Sequence, residues 1–205
     1  MISLSKLILL GVWGPNPFAF FTISDILKLS KKKTKTWVFN SLKFFVERGI
    51  LNLQRKSNLN IYSLNIANPL ALQLLQYSEV QESIDFPNLG IISEIIEKSP
   101  IKNFSLIIFG SYAENKQTKQ SDLDICLLIE NREAEKKIRP YFNDIKLNHA
   151  INLDEHYITF SDFVEMLLRD EENVGKQIFR KHRLFYNTDI YYQLLKEAHK
   201  NGFRP

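Results

Sequence analysis

Apolar residues along the second half of the chain predict a mixture of strands and helices. Two short apolar runs begin and end the stretch 106–129, and the polar loop between them is typical of two buried strands joined by an exposed connection. Apolar positions recur at helical spacing before this stretch, in residues 91–96, and after it, in residues 131–147. The remaining predicted elements are a strand at 151–159 and helices that begin at 161 and cover about 174–181 and 189–198. We therefore predict an α+β domain.

The first part of the chain has a different order, three helices followed by two strands. The first helix covers the opening apolar residues, and Thr22 or Ser24 can cap the second. The third helix ends at Gly49, and its core side is predicted from apolar residues at helical spacing: Val38, Phe39, Leu42, Phe45 and Val46. Residues 50–56 and 60–64 then predict a hairpin with a polar turn.

A further helix joins the two parts of the chain. It begins at Asn68-Pro69, runs to about Glu82 and carries too many apolar residues to stand alone in water. It therefore either docks the two domains together or pairs two protomers as a homodimer. The sequence Phe86-Pro87-Asn88 breaks the helical pattern. We place the boundary there, which predicts one domain at residues 1–86 and another at 87–205.

Charge is shared unevenly between these domains. Residues 1–86 contain 10 Lys and Arg against 5 Asp and Glu, whereas residues 87–205 contain 17 against 18. The basic domain is therefore the candidate for contact with a polyanion such as nucleic acid. The single cysteine, Cys126, excludes an internal disulfide and a cysteine-rich zinc site and fits a reducing cytosol. Since no apolar run is long enough to cross a bilayer, we expect a cytoplasmic protein without a membrane partner.

The loop between the two central strands carries groups that suit a nucleotide. Gly110 lacks a Cβ, so the backbone there can approach a phosphate closely. Ser111 is expected to open a short helix, whose free N–H groups and positive dipole end favour an anion. Asp122 and Asp124 lie two apart on a strand, so both carboxylates project from the same face. Two such oxygen ligands suit a Mg²⁺ ion that also binds substrate phosphates.

The pair Gly110-Ser111, a ten-residue spacer and Asp122-x-Asp124 resemble the signature of the DNA polymerase beta-like nucleotidyltransferases, especially the minimal nucleotidyltransferases. The segment from Glu171 to Tyr192 resembles the tail of archaeal-type members that are joined to winged helices. The resemblance implies a nucleotidyltransferase fold with a small mixed sheet and flanking helices. It also implies transfer of a nucleotidyl group from an NTP, with ATP as the first candidate, to a hydroxyl acceptor.

In such an enzyme Asp122 and Asp124 would bind Mg²⁺ or Mn²⁺, while Ser111 and the Gly110 backbone would hold the β- and γ-phosphates. The resemblance further implies a third carboxylate, on the neighbouring strand, that completes a metal site and helps to deprotonate the acceptor. We predict Asp154 as this third catalytic and metal-binding residue.

The choice of Asp154 depends on the alternation of side chains along the predicted strand. Alternation places Asp154 and His156 on one face and Glu155 on the other, and Leu153 would then enter the core. Glu155 is the alternative. His156 is either a ligand or acceptor-side base, or a structural strand histidine. His182, in a basic run, either meets a phosphate or belongs to a solvated helix end, and the second interpretation is favoured.

The order of elements in the basic domain, with Phe45–Leu51 at the end of its third helix, resembles a winged helix-turn-helix. In that family the third helix enters the major groove of duplex DNA and the hairpin, or wing, meets the backbone or minor groove. The predicted DNA-binding residues are Lys33, Lys35, Thr36, Asn40 and Lys43 on the third helix and Arg55 and Lys56 at the wing tip. The basic residues would attract phosphates, and Thr36 or Asn40 would contact bases. The alternative is a face for protein contacts, anchored by Trp37 and Phe44.

Three functions follow from these interpretations. The leading hypothesis is a Mg²⁺-dependent nucleotidyltransferase that the DNA-binding winged helix targets or regulates. The second is a transcription regulator whose nucleotidyltransferase-like domain senses a nucleotide without turnover. The third is an antitoxin that adenylylates a HEPN-type toxin, since minimal nucleotidyltransferases of this type often work beside such toxins. Release of pyrophosphate would separate the first from the second, and a neighbouring gene for a HEPN-type protein would favour the third.

Overall fold

The structure, a computed structural model, describes residues 2–30, 34–149 and 152–205. The predicted DNA-binding residue Lys33 and the start of the strand predicted from residue 151 lie outside these ranges. Contacts between residues divide the chain into two compact units, the first ending at Gln81 and the second covering Glu82–Arg204. Each unit contains its own β-sheet. Within the described ranges, each helix is too short or too polar to cross a bilayer.

Helices and a three-stranded antiparallel sheet make up the first unit. Its elements are α1 (Leu4–Leu10), a 3₁₀ turn (Gly11–Trp13), β1 (Phe20–Thr22), α2 (Ile23–Leu29), α3 (Lys35–Glu47), β2 (Leu51–Lys56), β3 (Leu59–Leu64) and α4 (Pro69–Ser83), whose last residues enter the second unit. The strand order is β1-β3-β2. Strand β1 was not predicted, because three residues are too few to show alternation and only pairing with β3 reveals it.

Local chemistry explains where the helices of this unit begin and which side they bury. Thr22 caps α2: its hydroxyl accepts from the Asp25 N–H, and the Asp25 carboxylate accepts from the Thr22 N–H. On α3, Val38, Leu42 and Phe45 are buried, as predicted. Phe39, also predicted to face the core, is instead 45% exposed, because one residue turns about 100° around the helix away from this stripe.

The second unit is built on a four-stranded sheet. Its elements are α5 (Leu89–Lys98), β4 (Phe104–Ile108), α6 (Gly110–Ala113), β5 (Leu123–Ile129), α7 (Arg132–Asn148), β6 (Leu153–Thr159), α8 (Phe160–Leu168), α9 (Val174–Arg180), β7 (Arg183–Tyr186) and α10 (Thr188–Lys200). The strand order is β6-β5-β4-β7, with β5 and β6 parallel and the other neighbours antiparallel. The sheet is therefore mixed, and the predicted α+β class is confirmed.

Both faces of this sheet are covered, which explains why its central strands are apolar along their length. Ile125 and Leu127 of β5 pack in a core with residues of α5 and α7. Cys126, on the other face, is fully buried, and burial raises the pKa of its thiol. Tyr141 of α7 was predicted to face the core but is 40% exposed, whereas its neighbour Phe142 is buried. Strands buried on both sides carry no alternating pattern, so only their length and ends were readable in the sequence.

Candidate active site

The centre of the candidate site is a backbone turn at Gly110, directly after β4. Gly110 adopts φ +63°, in the left-handed region, and the preceding Phe109 N–H donates to the carbonyl of Asp124 over 3.1 Å. A Cβ on Gly110 would lie 2.8 Å from Asp124 Cγ, closer than side-chain atoms normally approach. Both the φ angle and the space therefore require glycine here. Ser111 follows in the first turn of α6 and lines the same cleft as Asp124.

Substitution of Gly110 by alanine is expected to damage the site and the fold together. The left-handed backbone alone costs about 1–2 kcal/mol for a residue with a Cβ, and the added methyl group would push the Asp124 carboxylate aside. The free energy of unfolding, measured with urea, and nucleotide binding, measured by calorimetry, check both effects.

Gly49→Ala is the matched control for this substitution. Gly49 has nearly the same φ, +65°, but the nearest atom to an added Cβ is Asn68 Nδ2 at 3.8 Å. It should therefore lose stability through backbone strain while nucleotide binding stays unchanged. Equal nucleotide binding by wild type and Gly110→Ala would contradict the proposed closeness of the turn to the site.

Parallel pairing of β5 and β6 brings a second carboxylate beside Asp124. Asp124 and Asp154 are direct partners in the register of the two strands, so they lie on the same face of the sheet. The Asp154 side chain is 56% exposed. Glu155 lies on the opposite face, where it forms an ion pair with Lys146 of α7. Of the two alternatives for a third carboxylate, the structure places Asp154, and not Glu155, next to Asp124.

Asp124 is a half-buried carboxylate with further negative charges nearby. Partial burial raises its pKa, and the negative charges of Asp154 and Asp122 raise it further, while His156 opposes them. His156 Nε2 lies 3.3 Å from Asp154 Oδ2, and its ring meets the ring of Phe109 edge-on at 5.2 Å. His156 therefore belongs to the surroundings of these carboxylates, which leaves both interpretations of its role open.

These carboxylates have the donor chemistry for a divalent cation that is shared with a substrate. No three His, Cys, Asp or Glu side chains converge on one point in the described parts of the chain. Mg²⁺ does not need such a cage, because it usually binds through one or two carboxylates together with substrate phosphates and water. Burial is the main cause of the raised pKa of Asp124, and a cation would offset the repulsion from Asp154 and Asp122 that adds to it. The residues present fit Mg²⁺ or Mn²⁺ on these grounds.

A cleft of about 450 Å³ adjoins the Gly110 turn. Its lining residues are Phe109, Gly110, Ser111, Glu114, Lys116, Asp124, Gln177, Arg180 and Lys181. Three of the predicted site residues thus share one cleft: Gly110, Ser111 and Asp124. Asp122, which is exposed just before β5, and Asp154 are not among the lining residues.

Sequence reasoning missed the three basic residues of the cleft, Lys116, Arg180 and Lys181. The only signal was the basic run at residues 180–183, which was interpreted as a solvated helix end. That interpretation is wrong for His182. His182 is half-buried, and its ring Nδ1 donates to the Ile178 carbonyl over 2.8 Å.

The predicted DNA-binding residues lie on the surface of the first unit. The side chains of α3 and β2 in this group are exposed: Lys35, Thr36, Asn40, Lys43, Arg55 and Lys56. Phe44, the suggested protein-contact anchor, is half-buried, and its ring lies 4.3 Å from Lys6 Nζ and 3.6 Å from Arg48 Cζ. It already makes cation–π contacts within the unit, which weakens its case as an anchor for another protein.

The chain is similar to known proteins over part of its length. Residues 91–191 match the family described as Polymerase beta, Nucleotidyltransferase. A curated relative from Methanocaldococcus jannaschii, described as "Putative protein adenylyltransferase", is 33% identical over 75 residues, which make up 32% of this chain and 62% of the relative. The chain thus matches less than two thirds of that relative's length. A solved chain from a toxin-antitoxin crystal structure with AMP-PNP aligns with 18% identity and a TM-score of 0.35, over 56% of this chain and 86% of its own length.

Proposed function

We propose that this chain, whose residues 91–191 match the family described as Polymerase beta, Nucleotidyltransferase, transfers a nucleotidyl group from an NTP to a hydroxyl acceptor. The observation that carries the proposal is the meeting of the Gly110 turn, Ser111 and Asp124 in one cleft, with Asp154 in register beside Asp124. Phosphate-binding backbone and metal-binding carboxylates are the two parts that such a transfer needs.

The reaction forms one bond and breaks one. The acceptor oxygen attacks the α-phosphorus of the NTP, the bond from that phosphorus to the oxygen bridging to the β-phosphate breaks, and pyrophosphate leaves. The hydroxyl proton passes to a carboxylate, and we assign this role to Asp154 because it is exposed and adjoins Asp124. Ser111 and the Gly110 backbone hold the departing phosphates in line.

We propose Asp122, Asp124 and Asp154 as metal ligands that share a cation with substrate phosphates and water, without closing a three-carboxylate cage in the chain alone. When bound there, Mg²⁺ or Mn²⁺ stabilises the negative charge that develops on the attacking and leaving oxygens. Asp124 is the central ligand in this proposal, since it alone of the three lines the cleft. Its burial also fixes its position more firmly than that of Asp122, which is exposed.

We propose ATP as the nucleotide and a protein hydroxyl as the acceptor. The support is the description of the relative from Methanocaldococcus jannaschii, together with the resemblance to minimal nucleotidyltransferases that adenylylate HEPN-type toxins. The test is incubation of the purified chain with ATP labelled at the α-phosphate, Mg²⁺ and an extract of the source cells. Label in a protein band, with pyrophosphate released, is expected. Label in nucleic acid or a small molecule would exclude a protein acceptor, and no label with any NTP would favour a nucleotide sensor.

We also propose that the first unit is a winged helix-turn-helix that binds duplex DNA. Its order of elements supports the proposal: α2 and α3 are followed by the β2–β3 hairpin, and β1 completes the sheet. The exposed Lys35 and Lys43 on α3 and the excess of positive charge in residues 1–86 supply the attraction for phosphates. This unit would bring the transferase to a DNA site or regulate it there.

DNA binding by the first unit is expected to weaken as salt rises. Lys35→Ala and Arg55→Ala should each reduce the slope of log affinity against log salt by about one unit and weaken all sequences equally, because they remove phosphate contacts. Asn40→Ala should instead reduce discrimination between sites by about 1–3 kcal/mol, because it removes a contact to a base edge. Gel-shift titrations at two or more salt concentrations measure both quantities.

The control is Asp122→Asn, which lies in the other unit and should leave these DNA affinities unchanged. No binding to any duplex at low salt would contradict the proposal and favour a protein-contact role for the first unit. DNA binding with ATP binding but without turnover would favour the regulator hypothesis over the enzyme.

A further inference from the structure

We propose that Lys116, Arg180 and Lys181 form a basic wall of the cleft that binds the β- and γ-phosphates of the nucleotide. The inference rests on the proposed function and adds to it the residues that select a triphosphate over a monophosphate. All three residues line the same cleft as Ser111 and Asp124, although Lys116 follows α6 whereas Arg180 and Lys181 end α9. Three cations from two separate segments therefore border one space.

The charges in this cleft match a triphosphate that arrives with a divalent cation. Asp124 supplies negative charge for the metal, and Glu114 lies 2.6 Å from Lys116 Nζ, which offsets much of the Lys116 charge. Arg180, whose charge Glu172 partly offsets, and Lys181 supply further positive charge in the lining of the cleft. A triphosphate carries more negative charge than one metal ion neutralises, so its outer phosphates need such cations, whereas AMP does not.

Arg180 is held in a defined orientation. Its Nη1 and Nη2 groups donate to the two carboxylate oxygens of Glu172, each over 2.7 Å. This bidentate contact fixes the plane of the guanidinium group and leaves its remaining N–H groups for a phosphate. Glu172 is therefore a positioning residue for Arg180, not a competitor that occupies the whole group.

Lys181 is positioned by the backbone on either side of it. Its own N–H donates to the Gln177 carbonyl over 3.1 Å, and the next residue, His182, donates to the Ile178 carbonyl over 2.8 Å. The His182 ring also packs against Tyr191, with 4.7 Å between the ring centroids. Burial lowers the pKa of His182 to about 4, so the ring is neutral at neutral pH and serves as an anchor. The contacts of the His182 ring therefore fix the backbone at Lys181, whose exposed side chain borders the cleft.

The test compares three probes on the full chain: ATP, AMP and inorganic tripolyphosphate, each titrated calorimetrically with Mg²⁺ and again with EDTA. Arg180→Ala and Lys181→Ala are each expected to weaken ATP and tripolyphosphate binding about 10-fold, the effect of losing one charge-assisted hydrogen bond. AMP affinity should change less than about 2-fold, since AMP lacks the outer phosphates. The same ranking is expected in EDTA, because the basic wall binds phosphate directly.

Two controls separate this role from loss of charge or structure. Lys196→Ala removes an exposed positive charge from α10 in the same unit, outside the cleft lining, and should leave all three affinities unchanged. Glu172→Gln keeps the Arg180 charge and should cost less ATP affinity than Arg180→Ala. If Glu172→Gln lowered ATP affinity as much as Arg180→Ala does, ATP binding would depend on the contact between Glu172 and Arg180 and not on the Arg180 charge in the cleft.

The possible outcomes distinguish this inference from the proposed function. If wild type binds ATP and both alanine variants bind it equally well, the basic wall is disproved while the transferase proposal stands. Equal weakening of ATP and AMP would also overturn the inference, because it would indicate a general structural role. If wild type binds neither ATP nor tripolyphosphate under any condition, both proposals fail together.

Discussion

Asp124→Asn is expected to reduce divalent-cation-dependent transfer of the nucleotidyl group by about a thousandfold or more. Several kcal/mol of charge stabilisation in the transition state depend on the metal, and Asp124 is the carboxylate that the Gly110 turn places in the cleft. Asp122→Asn should have an effect in the same direction. Release of pyrophosphate from ATP measures turnover, and calorimetry with and without Mg²⁺ measures metal-dependent binding.

The stability of Asp124→Asn should move in the opposite direction from its activity. The pKa of Asp124 is raised, so between the usual carboxyl range and the raised value the folded chain binds more protons than the unfolded chain. Its contribution to stability therefore falls as pH rises through that window, and ionised Asp124 opposes folding at neutral pH. Asparagine removes this opposition. The melting temperature of the variant at pH 7 is expected to equal or exceed that of wild type.

Turnover and melting temperature, measured on the same variant, separate loss of a metal ligand from loss of the fold. A variant that loses turnover because it unfolds would show a lower melting temperature, whereas a lost metal ligand leaves the fold intact. Mg²⁺-dependent turnover that persists in Asp124→Asn would remove the carboxylate from the mechanism and, with it, the proposed enzyme activity at this cleft.

Asp154→Ala is expected to cost turnover heavily, on the order of a hundredfold or more, while Glu155→Ala costs little. The register of β5 and β6 places Asp154 beside Asp124, and Glu155 turns to the other face and pairs with Lys146. Steady-state rates of pyrophosphate release for the two variants give the ranking directly.

The two substitutions also differ in their expected effect on stability. Glu155→Ala removes the partner of Lys146 from a partly buried pair, so it should lower the melting temperature without removing activity. Asp154→Ala affects an exposed carboxylate and should leave the melting temperature nearly unchanged. If Glu155→Ala proved the more damaging to turnover, β6 would be shifted by one residue in solution, because such a slip exchanges the two faces of a strand.

Local patterns in the sequence were enough to locate the core of the candidate site. Gly110-Ser111 and Asp122-x-Asp124 lie within about a dozen residues of each other between two apolar runs, so strand, turn and strand could be predicted together. Helix ends were also predicted where short-range chemistry sets them: Thr22 caps α2, and Gly49, with its positive φ, follows α3. These features depend on neighbours in the chain and are therefore readable from it.

Other features depended on residues that are distant in sequence. Strand β7 became visible only through its pairing with β4, about eighty residues earlier, since its four residues carry no distinctive alternation. The choice of Asp154 over Glu155 followed from a plausible alternation, but its position beside Asp124 required the parallel register of β6 on β5. Alternation along a strand predicts that adjacent side chains lie on opposite faces of the sheet. Only the pairing with the neighbouring strand determines which of these faces carries the site.

The basic wall also depends on residues that are distant in sequence, so it could not be predicted from local patterns. Charged side chains on a short helix and on a loop have no periodic signature, and in the sequence Lys116 and Arg180 are indistinguishable from solvated surface residues. The motif itself, with its spacing and its two flanking strands, was determined locally by glycine, serine and aspartate chemistry. The cleft around it was decided by tertiary structure, because α9, which packs against α8, brings its charges to the same cleft as Lys116, more than sixty residues earlier in the chain.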